Sequence, residues 1–156
     1  RINLVKLSKK TEYALRALAE LAMNQEEGNL QAQELARREK IPMKFLEQIL
    51  LVLKKAGVLR SRRGAGGGYL LNRPPEQVSL GEVVRLIEGP LVLLECASEE
   101  EDCCTCEEEA TCGLRDIVID LRNDLTRLLD GVTLANICER TVELRRRRDF
   151  VPRYSI

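Results

Sequence analysis

Five of the chain's six cysteines lie between Cys96 and Cys112, in the run CASEEEDCCTCEEEATC. Cysteines at such short intervals, in a sequence without secretory features, serve more often as metal ligands or redox groups than as a disulfide scaffold. Soft sulfur donors select zinc or iron-sulfur clusters, so the residues alone leave both open, beside a thiol switch that needs no metal. Residues 95–109 carry eight acids and no base. That charge disfavours adding an electron, and so predicts a low potential and a centre that is easily oxidised or lost. The sixth cysteine, Cys138, falls in a helical pattern and reads as a small buried hydrophobe. The chain has no histidine and no recognisable nucleophile-base pair, which argues against an enzyme.

The elements that position these cysteines are mostly helical. Aromatics are 3% with no Trp, so the core must be built from Leu, Ile, Val and Ala. LSKKTEYALRALAELAMN opens at Ser8, a good N-cap, and puts Tyr13, Ala14, Ala17, Leu18, Leu21 and Ala22 on one helical face. After the turn EEGN, LQAQELARREK predicts a short helix with Leu30, Leu35 and Ala36 inward. Ile41 and Pro42 break it. MKFLEQILLVLKKAG then predicts a helix that starts at Pro42, buries Phe45, Leu46, Ile49, Leu50 and Leu53, and stops at Gly57. VLRSRR and GYLL, parted by a glycine-rich tip, predict a β-hairpin. A helix-turn-helix followed directly by a basic hairpin is a winged helix. GAGGGY is neither a dinucleotide fingerprint, since Tyr69 stands at the third glycine and no helix follows, nor a P-loop.

NRPPEQ reads as a linker, and Ser79 with Glu82 as a capping box opening SLGEVVRLIE, which Gly89 and Pro90 end. From Gly113 a helix of about 17 residues carries Leu114, Val118, Leu121, Leu125 and Leu128 at heptad spacing, widened by Ile117 and Leu129. So broad an apolar stripe predicts a homodimer. Thr133 caps a last helix, TLANICERTVELRRR, and the tail RRRRDFVPRYSI reads as a solvated end whose arginines could touch phosphate. The expected fold is mainly α: a winged helix-turn-helix head with a two-stranded wing (1–75), a linker and supporting helix (76–95), a cysteine loop (96–112), and a long dimerisation helix with a C-terminal helix and tail (113–156).

The net charge of zero conceals a division. Residues 1–75 carry 15 Lys or Arg against 7 Asp or Glu, and residues 76–156 carry 10 against 18. A head at +8 beside a remainder at −8 predicts a polyanion-binding face, here double-stranded DNA with a near-palindromic operator. Met43, Lys44, Glu47 and Gln48 are placed to read base edges; Gln48 suits adenine, and Lys44 suits guanine or phosphate. Arg60, Arg62 and Arg63 on the wing suit phosphate or the minor groove, with Gly66 and Gly67 beside Tyr69 letting the backbone come close. Lys9 and Lys10 are expected to meet phosphate. No apolar run approaches the ~20 residues that span a bilayer, and no signal-peptide pattern appears. The expectation is a cytoplasmic protein with reduced thiols and neither a membrane nor a small-molecule substrate.

The runs LSKKTEYALRALAELA, IPMKFLEQILLVLKKAGVLRSRRGAGGGYLL, SLGEVVRLIEG and TCGLRDIVIDLRNDLTRLLDGVTLANI closely resemble the small bacterial regulators of the IscR, NsrR and CymR type, over roughly residues 6–140. The resemblance implies a homodimeric winged-helix transcription factor. Some members carry an iron-sulfur cluster on three cysteines, whereas CymR-like members lack it and sense through partner proteins. By that resemblance Cys96, Cys106 and Cys112 match the three ligands, with a 2Fe-2S cluster expected. The gap between Cys96 and Cys106 is longer than in relatives, so Cys103 or Cys104 is an alternative middle ligand. Some relatives supply a His where this chain has Arg115. Others use an acid in the first helix of the opposite subunit, a position that corresponds to Glu12.

Overall fold

Ser8 has an extended backbone, and its hydroxyl accepts the Thr11 amide at 3.2 Å, which starts the first helix. The computed structural model describes residues 7–97 and 109–149. Helix α1 (Lys9–Met23) buries Ala14, Ala17, Leu18 and Leu21, the face its spacing predicted. A β-hairpin, β1 (Leu59–Arg62) with β2 (Gly68–Leu71), pairs Leu59 with Leu71 and Arg62 with Gly68. Between α1 and the hairpin lie α2 (Ala32–Glu39) and α3 (Met43–Lys55). Lys40 ends α2 in the left-handed conformation at φ 51°.

Two local expectations in the head need correction. Leu30 is not in α2; it exchanges backbone hydrogen bonds with Tyr69 at 2.8 and 3.0 Å, adding a strand-like rung to the wing. This rung explains Gly68, where a Cβ would lie 2.5 Å from the Leu30 carbonyl oxygen and φ is +148°. Pro42 stands at the start of α3 as expected, as its N-cap. Phe45 is not buried: it is 48% exposed, on the edge of the apolar face, whereas Leu46, Ile49, Leu50 and Leu53 are fully buried as expected.

Helix α4 (Leu80–Glu88) begins at Ser79, whose hydroxyl accepts the Glu82 amide at 3.1 Å. The other half of the predicted capping box does not form in the expected way, because the Glu82 carboxylate pairs with Arg73 at 2.5 Å. Helix α5 (Gly113–Asp130) runs 18 residues, and α6 (Leu134–Asp149) starts at Thr133, which trades hydrogen bonds with Asn136. The core gathers α1, α3, the wing and α4, and it takes in Leu134 at 0% exposure with Ile137 packed on it. The last helix therefore returns to the head and lies against α1. Cys138 sits there, its thiol 3.8 Å from the Ala19 carbonyl oxygen, and burial pushes its pKa up. Among the described residues no helix is long and apolar enough to cross a membrane.

Candidate functional site

Two regions stand apart, an outward face on the head and the frame around the cysteines. On the head, α3 turns Lys44, Glu47 and Gln48 to solvent, and Met43 is half-buried at its first residue. The wing exposes Arg60, Arg62, Arg63 and Gly66. Gly67 is buried, and a Cβ there would collide with the Arg62 carbonyl oxygen, so this glycine is required by the turn itself. Asn29 donates to the Gly66 carbonyl at 3.2 Å, and half-buried Tyr69 packs on the core. These contacts tie the wing to the segment before α2.

At the start of α1, Lys10 is half-buried and Lys9 is engaged: its ammonium lies 2.6 Å from Glu12, which also pairs with Arg16 at 3.6 Å. Lys9 in turn holds the Glu12 carboxyl below its ordinary range. Tyr13, one residue on, meets the Phe45 ring edge-on with centroids 6.2 Å apart.

The cysteine frame is built by α4 and α5. The Glu88 carboxylate ends α4 and accepts from the Ser8 amide at 2.7 Å and the Thr11 hydroxyl at 2.5 Å, clamping α4 to the start of α1. Gly89 then turns the chain, with φ +89°, toward Cys96. Cys96 is half-buried in a short 3-10 turn, Glu95–Ala97, laid along α5. Arg115 donates to the Cys96 carbonyl at 2.7 Å, and Arg122 to that of Ala97 at 3.2 Å. Cys112 is exposed at the N-cap of α5. One helix thus fixes the first and last cysteines of the run. Cys103, Cys104 and Cys106 lie outside the described residues, and among the described residues no three metal-binding side chains gather.

On α5, Leu114, Leu121 and Leu128 of the predicted seam are exposed, at 63%, 55% and 70%, with Ile117 at 60%. Val118 and Leu125 are half-buried, so the two sets of seam positions have different surroundings.

A family model described as Rrf2, iron-dependent transcriptional regulator, matches residues 7–140. The chain belongs to the Rrf2 family. An rrf2-like HTH-type transcriptional regulator of Rhodobacter capsulatus is 40% identical over 136 residues, covering 84% of this chain and 91% of that protein. The structure of IscR from T. potens superposes with a TM-score of 0.71 at 29% identity, covering 88% of each chain. That of CymR, the global cysteine regulator of Bacillus subtilis, gives 0.71 at 31% identity, covering 87% of this chain and 98% of that one. The Rrf2-type chain is therefore a winged-helix transcriptional regulator, and its relatives are named as regulators, not enzymes.

Sequence reasoning misses three residues that shape the two regions. Glu88 is unremarkable in sequence because its partners Ser8 and Thr11 lie about eighty positions away. Arg115 stands out only as the replacement for a ligand, and Arg122 not at all. Both act on backbone carbonyls, which leave no trace in side-chain pattern.

Proposed function

We propose that this Rrf2-family regulator binds a near-palindromic operator as a homodimer and that an iron-sulfur cluster, of the 2Fe-2S type, controls that binding. Cys96 and Cys112 would hold the cluster with one of Cys106, Cys103 and Cys104, and Glu12 of the opposite subunit would complete the set. The observation that carries the reading is the way Arg115 ties the Cys96 backbone to the first turn of α5, where Cys112 is the N-cap. The donor set fits the group, because thiolates suit iron-sulfur clusters, and the likeness to IscR supports it. When bound, the cluster supplies one-electron redox chemistry and a lability toward oxidants or nitric oxide.

The chain's own residues do the rest. Lys9, Lys10, Arg60, Arg62 and Arg63 meet phosphates, and Gly66, Gly67 and Tyr69 shape the wing that brings the arginines in. Met43, Lys44, Glu47 and Gln48 read base edges from α3. Leu114, Val118, Leu121, Leu125 and Leu128 define the dimer helix. The clamp of Glu88 onto Ser8 and Thr11 lies between the cysteine segment and the phosphate-facing end of α1.

A second reading is favoured by the equal likeness to CymR: a cluster-free regulator governed by a partner protein. A structural zinc is the third form of the same site. Anaerobic purification separates them. Visible absorbance with iron and sulfide near stoichiometry, and operator affinity that changes on cluster removal, is the expected result. A colourless protein with zinc, or with no metal, overturns the cluster. Equal affinity of the loaded and empty forms in a gel-shift series overturns its control of DNA binding.

A further inference from the structure

Phe45 is half-exposed, at 48%, on the helix proposed to enter the major groove. A single exposed apolar ring is ordinary on a protein surface, so what carries the argument is its place on this helix and the pose in which it is held. It is not loose surface decoration. Tyr13, itself packed on the core, meets the ring edge-on at 6.2 Å and 63°, an orientation that aromatic quadrupoles favour and that pre-sets the outward pose. Lys9 and Arg16 each lie 6.0 Å from the Tyr13 ring. The aromatic pair thus sits beside two cations, both paired with Glu12.

On α3, Phe45 follows Lys44 and precedes Gln48 by three residues, so it shares a side with Gln48. Base-pair edges in the major groove are polar, with one exception: the C5-methyl group of thymine, which apolar side chains contact. An apolar ring flanked by a cation and an amide therefore has a single apolar counterpart in the groove. We infer that Phe45 is a specificity-determining residue that reads a thymine methyl in each operator half-site, with Tyr13 as its positioning residue. The inference rests on the proposed role of α3 as the base-reading helix.

The test uses the full chain and a duplex enriched from a randomised pool by the wild-type protein. Enrichment should leave a fixed thymine at one position per half-site. Replacing it with uracil removes only the methyl and should weaken wild-type binding by about fourfold per half-site, the scale of one lost methyl contact. Phe45→Ala should weaken binding to the thymine duplex and bring the thymine-to-uracil ratio close to one. Phe45→Tyr, which keeps the ring, should preserve the ratio. A wild-type protein indifferent to uracil at every position, or a Phe45→Ala variant that keeps the wild-type ratio, overturns the inference. So does loss of dimer in Phe45→Ala by sedimentation with the ratio unchanged, since a second copy would then be what covers the ring. Failure of the wild-type protein to enrich any duplex would overturn the base-reading role of α3 and this inference with it, and is distinguished by the absence of binding altogether.

Discussion

Glu12 is asked to do two things that conflict. In the single chain its carboxylate is held by Lys9 at 2.6 Å and approached by Arg16 at 3.6 Å. As a cluster ligand in trans it would have to leave Lys9, and the freed ammonium would then face phosphate. Ligand occupancy and phosphate affinity are coupled through one side chain in this scheme. Glu12→Gln removes the competing charge whatever the cluster does. The cluster-free variant should bind its operator roughly threefold more tightly at low salt, and the slope of log affinity against log salt should steepen by about 0.9 for each further phosphate neutralised. Anisotropy titrations across a salt series measure both, and an unchanged slope would show that Lys9 does not reach phosphate. At this scale legibility is uneven. Ser8, Ser79 and Thr133 are readable as caps because the partner lies three residues away. Phe45 is not readable as exposed, because its spacing puts it at the border of the apolar face, where periodicity cannot tell inside from outside.

Among the elements, the joint between α1 and α4 depends on a carboxylate. Hydrogen bonds from Ser8 and Thr11 hold the Glu88 carboxyl below its ordinary range. A depressed folded-state pKa means that the charged form stabilises the fold. That stability is fully present above the unfolded value, about 4.3, and is lost as pH falls through the lower folded value. Glu88→Gln should therefore be less stable than wild type at neutral pH, with the gap narrowing below about pH 4.3 and closing in stronger acid. Denaturant melts at several pH values test it; a gap that does not change with pH would assign the effect to shape and not charge. The helices and the hairpin are legible because their signals are local: apolar spacing, caps and a glycine tip. The Leu30 rung and the return of α6 to α1 are not, since each is decided by contacts between segments about forty and more than a hundred residues apart. The cysteine frame is legible in its donors and hidden in its support, because Arg115 and Arg122 grip carbonyls that every residue possesses.

For the molecule as a whole, the uncovered apolar face is that of α5. No residue of that 18-residue helix is buried in the single chain, yet it carries Leu114, Ile117, Leu121 and Leu128 in solvent. The stripe recurs at helical spacing along the whole length, as a surface that meets its own copy across a two-fold axis would. Dimerisation would also bring the two heads to one duplex, so that each half-site raises the effective concentration at the other. Two substitutions separate these roles from folding. Leu121→Glu with Leu128→Glu changes side chains more than half exposed, so circular dichroism and the melting temperature should stay near wild type. Sedimentation should show a monomer, and operator affinity should fall by about 100-fold or more as the linked half-site is lost. A duplex carrying one half-site should distinguish the variant from wild type far less. If the double variant remains a dimer, the exposed stripe is not the seam, and the proposed coupling between the cysteine frame and the spacing of the two heads would have to run through another surface.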